Sequence, residues 1–224
     1  MTNIDLMKYK RQLILTSIVI LLPVLAGLVL WNQLPEMIAT HFNSAYEPDG
    51  WSSRPIAVFG MPFLMLALHW FVLIIVRTDP RRQNISPKMF RIVLWIIPVI
   101  SLFTAVLTYS QALAEPLKMA LLSRVFLGFL FIILGNLLPK CRQSYTVGIR
   151  LPWTLADSEN WDHTHRFGGF VWVAGGLLLL LMAFLPIAGR DQLEVAVILC
   201  LVGAPALYSF LYYIRNDKKG ENDE

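Results

Sequence analysis

Six long apolar runs constrain the fold of this chain more than any other feature. A helix needs about 20 mostly apolar residues to cross the roughly 30 Å hydrocarbon core of a bilayer. Six stretches meet this condition: 13–30, 56–76, 92–113, 117–138, 170–187 and 195–214. The first run is too long for the core of a signal peptide, and no small-residue cleavage site follows it. We therefore predict one all-α integral membrane domain over residues 1–224, a six-helix transmembrane bundle without a cofactor.

The positions of the basic residues predict the orientation of the six spans. Lys and Arg are concentrated in the N-terminal segment, the second and fourth loops and the tail, whereas the other three loops hold only Arg54, Lys118 and Arg190. Basic residues collect on the cytoplasmic side, so both termini are expected to be cytoplasmic. The net charge of +4 then reflects topology and contact with anionic lipid, and direct binding to nucleic acid is not predicted.

Small residues recur seven positions apart in four of the predicted spans. Two helical turns are close to seven residues, so both members of a pair lie on one face and allow a neighbouring helix to approach closely. These pairs predict tight helix packing: Gly60/Ala67, Gly128/Gly135, Gly169/Gly176 and Ala196/Gly203.

The first long loop, residues 32–55, is predicted to be external. Residues 47–50 read Glu-Pro-Asp-Gly, a good β-turn sequence with Pro at the second position and Gly at the fourth. His41, Glu36, Glu47 and Asp49 could ligate a metal, but their spacing matches no recognised metal site, and we predict none. A purely structural loop and an ion- or ligand-binding loop both remain open.

The second long loop, residues 139–169, is predicted to be cytoplasmic. Asp157 or Thr154 can cap a short helix over residues 158–167, which Trp161 would hold at the inner membrane interface. Gly168-Gly169 would then turn the chain into the fifth span. His163 and His165 are two residues apart, so they do not share one helix face and do not predict a metal site.

Arg124 is the basic residue that lies well inside a predicted span. Its side chain could extend to the outer headgroups, because long basic side chains snorkel. Alternatively it faces the protein interior, where intramembrane charges usually pair and mark function. Glu115 is the nearest acid in sequence, and Glu47 or Asp49 could reach Arg124 only if the external loop folded over the spans.

The two long loops together resemble the SdpI family of bacterial membrane proteins. The family pattern runs approximately GN-x-x-P-K, G-I-R-x-P-W-T-L and W-x-x-T-H-R-x-x-G. The matching residues are Gly135, Asn136, Pro139, Lys140, Gly148, Ile149, Arg150, Pro152, Trp153, Thr154, Leu155, Trp161, Thr164, His165, Arg166 and Gly169. A second family segment matches Leu34, Pro35, His41, Phe42, Asn43, Pro48, Asp49, Gly50 and Trp51, with Ala39 where the family usually has Pro and Tyr46 where it usually has Gly. The resemblance divides the chain into an N-terminal family segment, 1–89, and an SdpI-like segment, 90–224.

The resemblance implies a non-enzymatic immunity protein of a bacterial plasma membrane. Such a protein protects its cell from a secreted antimicrobial peptide and can also hold a small winged-helix repressor at the membrane. The peptide would be sensed by the external loop and the repressor by the cytoplasmic loop. The candidate ligand-sensing residues are His41, Asn43, Glu47, Asp49 and Trp51. The candidate partner-binding residues are Arg150, Trp153, Trp161, His165 and Arg166. Arg150 is the strongest candidate to contact a carboxylate, and the nearest acids in sequence are Asp157 and Glu159.

Two other functions remain open from the sequence. The chain could be a small transporter or channel, with Arg124 and proline-kinked spans lining a path. It could also be a membrane-embedded enzyme that uses His41 or His165. Neither a nucleophile elbow nor a phosphate-binding glycine loop is present in the sequence.

Overall fold

The computed structural model describes residues 6–114, 117–186 and 188–220. The long helices are α1 Lys10–Val29, α2 Met61–Thr78, α3 Pro87–Ala112, α4 Met119–Leu137, α6 Ser158–Phe184 and α7 Arg190–Gly220, and α5 is the short helix Pro152–Ala156. Six helices in this part of the chain are long and apolar enough to cross a membrane. The predicted all-α, six-span membrane fold is therefore confirmed, while the cytoplasmic location of the termini stays a prediction.

Capping residues explain where two of the long helices begin. Ser86 precedes α3, and its Oγ accepts a hydrogen bond of 3.2 Å from the backbone N–H of Met89. Pro87 occupies the first turn, where its missing N–H costs nothing. Asp157 caps α6 by accepting a 2.8 Å bond from the N–H of Glu159. Both caps satisfy helix-end donors that would otherwise lack partners.

The chain divides into two compact units. The first contains Met1–Thr78 and Ser86–Ala120, and therefore α1, α2, α3 and the first long loop. The second contains Asp79–Ile85 and Leu121–Glu224, and therefore α4 to α7 with the second long loop.

The first long loop forms a β-hairpin, which the sequence analysis did not predict. Strand β1, Met37–Phe42, pairs antiparallel with β2, Pro48–Ser53. Ile38 anchors the hairpin in a buried apolar cluster that also contains Val58 and Tyr109. A single π-helical turn, Ile56–Gly60, then leads into α2.

The predicted β-turn at residues 47–50 is wrong, because Pro48, Asp49 and Gly50 lie within β2. The chain reverses over residues 43–47 instead. Asn43 Oδ1 accepts hydrogen bonds from the backbone N–H groups of Ala45 and Glu47 at 2.9 and 3.0 Å. Tyr46 has a φ of 63°, a left-handed conformation that suits Gly, and it stands where the family pattern carries Gly.

The fifth span begins earlier than predicted. Residues 158–167 are not a separate interfacial helix but the first turns of α6, which continues through Gly168 and Gly169 to Phe184. The short helix in this loop is α5, just before α6. The glycines serve helix packing instead of a turn: a Cβ on Gly169 would lie 2.8 Å from the carbonyl oxygen of Gly135 on α4.

Inside the first unit, α3 is tied to α1 around the proline at position 23. Tyr109 donates a hydrogen bond of 2.9 Å from Oη to the carbonyl of Pro23, and Ser101 donates one of 3.1 Å to the carbonyl of Ile20. The helices can approach because position 27 is Gly, where a Cβ would lie 2.7 Å from the Tyr109 Oη. These bonds satisfy buried hydroxyl groups that would otherwise be costly.

Inside the second unit, α4 and α6 pack through two pairs of glycines. A Cβ on Gly128 would lie 2.9 Å from the carbonyl oxygen of Gly176, and Gly135 faces Gly169 in the same way. The predicted close packing is confirmed for these two pairs. It is wrong for Gly203, which has no heavy atom within 4 Å of the position a Cβ would take, and Gly60 meets only the Ile56 side chain of its own turn.

Candidate functional site

The hairpin presents a charged pair on its exposed face. His41 Nδ1 and Asp49 Oδ1 are 2.5 Å apart, and the two side chains are 74% and 42% exposed. Glu47 is exposed at the turn, and Trp51 is 56% exposed on β2. Four of the five predicted ligand-sensing residues therefore lie on an accessible surface. Asn43, the fifth, is committed to shaping the turn.

Asp79 organises the second long loop, and sequence reasoning missed it. It is only 2% exposed. Its Oδ1 accepts from the N–H of Arg81 at 2.7 Å, and its Oδ2 accepts from the N–H of Tyr145 at 2.9 Å and from Thr146 Oγ1 at 2.6 Å. The Asp-Pro dipeptide directly after the second span was the available signal, because Asp in such a position often bonds to the backbone two residues on.

Further bonds connect the 79–85 segment to the second long loop. Arg81 donates to the carbonyl of Leu155 at 3.3 Å, and its guanidinium lies 5.0 Å from the centre of the Tyr145 ring. Asn84 donates to the carbonyl of Gln143 at 2.7 Å, and the Gln143 side chain donates to the carbonyls of Thr154 and Leu155. The loop is therefore held in a defined conformation by side chains.

Trp161 and His165 form the buried centre of this loop. Both are fully buried, and their rings stack with centroids 4.0 Å apart. Trp161 Nε1 donates to the carbonyl of Cys141 at 2.8 Å. Gly148, with a φ of 120°, packs against both rings, and a Cβ there would lie 2.4 Å from His165 Nε2. Only glycine fits this position.

The hydrogen bonds of His165 identify its tautomer. Nδ1 lies 2.8 Å from the carbonyl oxygen of Trp161, which can only accept, so Nδ1 carries the proton. Nε2 accepts a hydrogen bond of 2.9 Å from the backbone N–H of Ile149. The neutral imidazole thus uses both nitrogens to connect α6 to the loop, which is a structural role.

A second buried network joins the loop to α7. Ser209 accepts a 2.7 Å hydrogen bond from Trp153 Nε1 and donates one of 2.8 Å to Asn160 Oδ1. Asn160 returns a bond from Nδ2 to the carbonyl of Ser209, and Thr164 donates to the same Asn160 oxygen. Asn160 and Ser209 were not predicted, although polar residues at the end of a span are a usable signal. Trp153 therefore connects α5 to α7.

Arg150 and Arg166 are the exposed members of the predicted partner-binding set. Arg150 donates to the carbonyl of Tyr145 at 2.9 Å. The acids nearest to Arg150 in sequence are engaged elsewhere: Asp157 caps α6, and Glu159 accepts a hydrogen bond from the Tyr212 hydroxyl. Among the described residues Arg166 makes no hydrogen bond or ion pair.

Arg124 faces the protein interior, so the snorkelling alternative is wrong. Its side chain is 1% exposed. Its Nε donates to Glu194 Oε2 at 2.8 Å, and its Nη2 donates to Asp191 Oδ1 at 2.5 Å. The proposed partners Glu47 and Asp49 are not the ones found, and Glu115 lies outside the described residues. The two acids before the sixth span were the signal that could have identified this pairing.

The described part of the chain contains no group of three His, Cys, Asp or Glu side chains placed to hold a metal ion. His163 Nε2 lies 3.8 Å from Glu159, one turn away on α6. Cys141 and Cys200 are both free thiols. Burial raises the pKa of the Cys141 thiol to about 11, because the thiolate would lose its hydration.

These observations define the class of the protein, and comparison with known proteins gives the same class. Six apolar helices joined by structured polar loops make it a multi-pass α-helical membrane protein of bacterial type. Residues 140–213 match the SdpI/YfhL protein family, and residues 18–66 match a domain of unknown function (DUF1648). The resemblance to the SdpI family is therefore confirmed over residues 140–213, which contain most of the second long loop.

One relative is similar over almost its whole length. The chain is 24% identical to the Immunity protein SdpI of Bacillus subtilis (strain 168) over 206 residues, which are 91% of this chain and 96% of that protein. No solved structure matches the chain.

Proposed function

We propose that this protein is a non-enzymatic membrane immunity protein that gives its cell resistance to a secreted peptide toxin. The observation that carries the proposal is the end-to-end similarity to an immunity protein, which includes both long loops. Loops vary more easily than packed helices, so similarity that includes them favours a shared activity.

The hairpin is the surface proposed to meet the peptide. His41, Asp49 and Trp51 offer a charged pair and an aromatic ring on an accessible face. Ile38 of β1 is buried in the apolar cluster that also contains Val58 and Tyr109, and this anchor favours a face that binds without first being ordered. The basic residues of the other loops favour an external location for the hairpin.

A role in binding rather than catalysis is supported by the chemistry of His165. Both nitrogens of its imidazole are engaged by backbone groups, and the side chain is fully buried. A general base must reach the proton it removes, which this imidazole cannot do without breaking its own contacts.

The immunity role is tested by expressing the chain in a toxin-sensitive bacterium that lacks its own immunity gene. Cells are exposed to purified peptide from a producer that carries a related immunity gene. Wild-type chain is expected to raise the survival of these cells, and His41→Ala with Asp49→Ala is expected to reduce that protection. Glu36→Ala, an exposed acid just before β1, is the matched control. Equal killing with and without the wild-type chain at normal abundance contradicts the proposal.

We further propose that the second long loop binds a small cytosolic repressor. Arg166 and Arg150 are exposed and can form paired hydrogen bonds with carboxylates of a partner. Trp161 and His165 support the loop from inside, and Trp153 connects it to α7 through Ser209. Replacing Arg150 or Arg166 is therefore expected to weaken repressor binding without unfolding the loop, whereas replacing one of the buried residues is expected to affect both.

Co-purification of the membrane protein with a winged-helix repressor from its own cell tests this second role. Arg166→Ala is expected to lose the repressor while the protein still accumulates in the membrane. Arg142→Ala removes an exposed basic residue of the same loop that is outside the family pattern, and it should retain the repressor. Equal retention by both variants would restrict the loop to a structural role.

A further inference from the structure

The first unit contains a cavity beneath the hairpin that no sequence feature indicated. Its volume is about 140 Å³. It is lined by Thr40 and Phe42 of β1, by Met61 and Met65 of α2, and by Thr104 and Thr108 of α3. His41, between the two β1 residues, is on the exposed face of the hairpin. The surface proposed to meet a peptide and the cavity are thus opposite faces of one strand.

The lining of the cavity selects for an uncharged group. Every lining residue is apolar or carries a neutral hydroxyl, including Pro23, Ser101 and Tyr109. A charged group that entered the cavity would lose its hydration and would find no counter-charge there, which is strongly unfavourable. An uncharged apolar group would instead gain from leaving water.

Three of the five hydroxyl groups in the lining donate their hydrogens to backbone carbonyls. Tyr109 and Ser101 donate to the carbonyls of Pro23 and Ile20, and Thr104 donates to the carbonyls of Ile100 and Ser101 at 3.0 and 3.1 Å. The capacity that these oxygens retain is for accepting. A ligand with an N–H or O–H donor is therefore favoured over one without.

The volume of the cavity and the flexible methionine side chains in its lining fit one aromatic ring. A cavity of about 150 Å³ lined by apolar side chains holds a benzene molecule. Met61 and Met65 are flexible and polarizable, and sulfur contacts aromatic rings favourably. These properties fit the side chain of Trp or Tyr, which combines a flat apolar ring with one donor.

We propose that this cavity binds one uncharged aromatic side chain that carries a hydrogen-bond donor, supplied by the external peptide. The inference rests on the proposed function for the source of the ring. The ring enters the cavity under β1, while charged groups of the same peptide meet His41 and Asp49 on the other face of the hairpin. The strand thereby couples a polar and an apolar recognition element.

Indole and indene, two rings of equal shape of which only indole has an N–H, are the probes for the cavity. Purified protein in lipid nanodiscs is titrated with each ring, and both binding and the thermal midpoint are measured. Indole is expected to bind about 10-fold more tightly than indene and to raise the midpoint, because a ligand that binds only the folded state stabilises it. No saturable binding of indole to the wild-type protein overturns the inference, whatever the survival assay shows.

Cavity-filling variants provide the controls. Thr108→Phe fills the cavity from α3 and Met65→Trp fills it from α2, so one remains informative if the other does not fold. Each is expected to weaken indole binding at least about 10-fold. Val106→Phe adds the same ring to α3 at a position 54% exposed, and it should bind indole as the wild type does.

The same variants separate this inference from the immunity role. Loss of protection in Thr108→Phe, with protection retained in Val106→Phe, supports the peptide as the source of the ring. Full protection by a Thr108→Phe protein that no longer binds indole overturns that assignment. A wild-type protein that binds indole but protects no cell refutes the immunity role while the cavity remains a ring-binding site.

Discussion

Arg124 Nε lies 2.8 Å from Oε2 of Glu194, a residue 70 positions further along the chain, and both side chains are buried. The pair joins α4 to α7. Asp191, whose side chain is 44% exposed, accepts a hydrogen bond from a second guanidinium nitrogen, Nη2. The planar fork of arginine suits this geometry because it can bond two carboxylates at once. The positive charge of Arg124, which could have lined a transport path, is therefore compensated by two carboxylates.

Replacing Arg124 is expected to destabilise the second unit. Arg124→Leu removes the cation that compensates the buried Glu194 carboxylate, and breaking such a pair costs about 3–5 kcal/mol. The expected result is a lower thermal midpoint and lower abundance in the membrane. Arg124→Lys should lose less, and the double variant Arg124→Leu/Glu194→Leu should recover part of the loss. Lys118→Leu, which removes an exposed cation, is the control. An unchanged midpoint for Arg124→Leu would refute a stabilising role for the pair.

Asp79 is expected to order the loop that contains Tyr145. In Asp79→Asn one carboxylate oxygen becomes an NH₂ donor, which would then face an N–H or O–H donor. Hydrogen bonds to a charged acceptor contribute about 1.5–3 kcal/mol, so amide exchange at Tyr145 should accelerate at least about 10-fold. Asp162→Asn, at an exposed position of α6, should leave that exchange unchanged. Equal exchange in both variants would mean that Asp79 does not hold the loop.

Gly148 is expected to tolerate no side chain. Gly148→Ala places a Cβ against His165 Nε2 and forces a non-glycine residue to a φ of 120°. The backbone strain alone costs about 1–3 kcal/mol. A lower thermal midpoint is expected, measured on purified protein. Gly203→Ala enters open space inside a helix, where Ala is favoured over Gly by about 1 kcal/mol, so its midpoint should not fall. A midpoint unchanged by Gly148→Ala contradicts the packing described for the loop.

The orientation of the chain is tested by cysteine labelling. Ser44 in the hairpin turn and Ser158 at the start of α6 are both exposed, so a cysteine at either position can react. In a background without Cys141 and Cys200, an impermeant maleimide should label Ser44→Cys in intact cells and Ser158→Cys only after permeabilisation. The opposite pattern would reverse the predicted orientation.

The native Cys141 thiol is expected to react slowly at neutral pH. Burial raises its pKa to about 11, and the thiolate is the form that reacts. In detergent-solubilised Cys200→Ala protein, maleimide labelling should therefore accelerate about 10-fold per pH unit between pH 8 and 10. Ser158→Cys in the cysteine-free background is the exposed reference, and its rate should level off near pH 9. Equal rates at pH 7 would show that Cys141 is accessible and unperturbed.

The sequence alone determined the number of spans, the resemblance to the SdpI family and the position of the first long loop. Hydrophobic length is a local property, since each span must match the bilayer by itself. The loop signatures are equally local, because matching residues lie close together in the chain.

Only the tertiary structure decided which residues meet. Arg124 pairs with Glu194 and Asp191 on α7 instead of acids nearer in sequence, and Asp79 bonds Tyr145 and Thr146. Gly168-Gly169 continues a helix instead of turning, because Gly169 faces a glycine of α4. Contacts between residues far apart in sequence depend on how helices pack, and a buried polar group bonds the partner that packing places within reach.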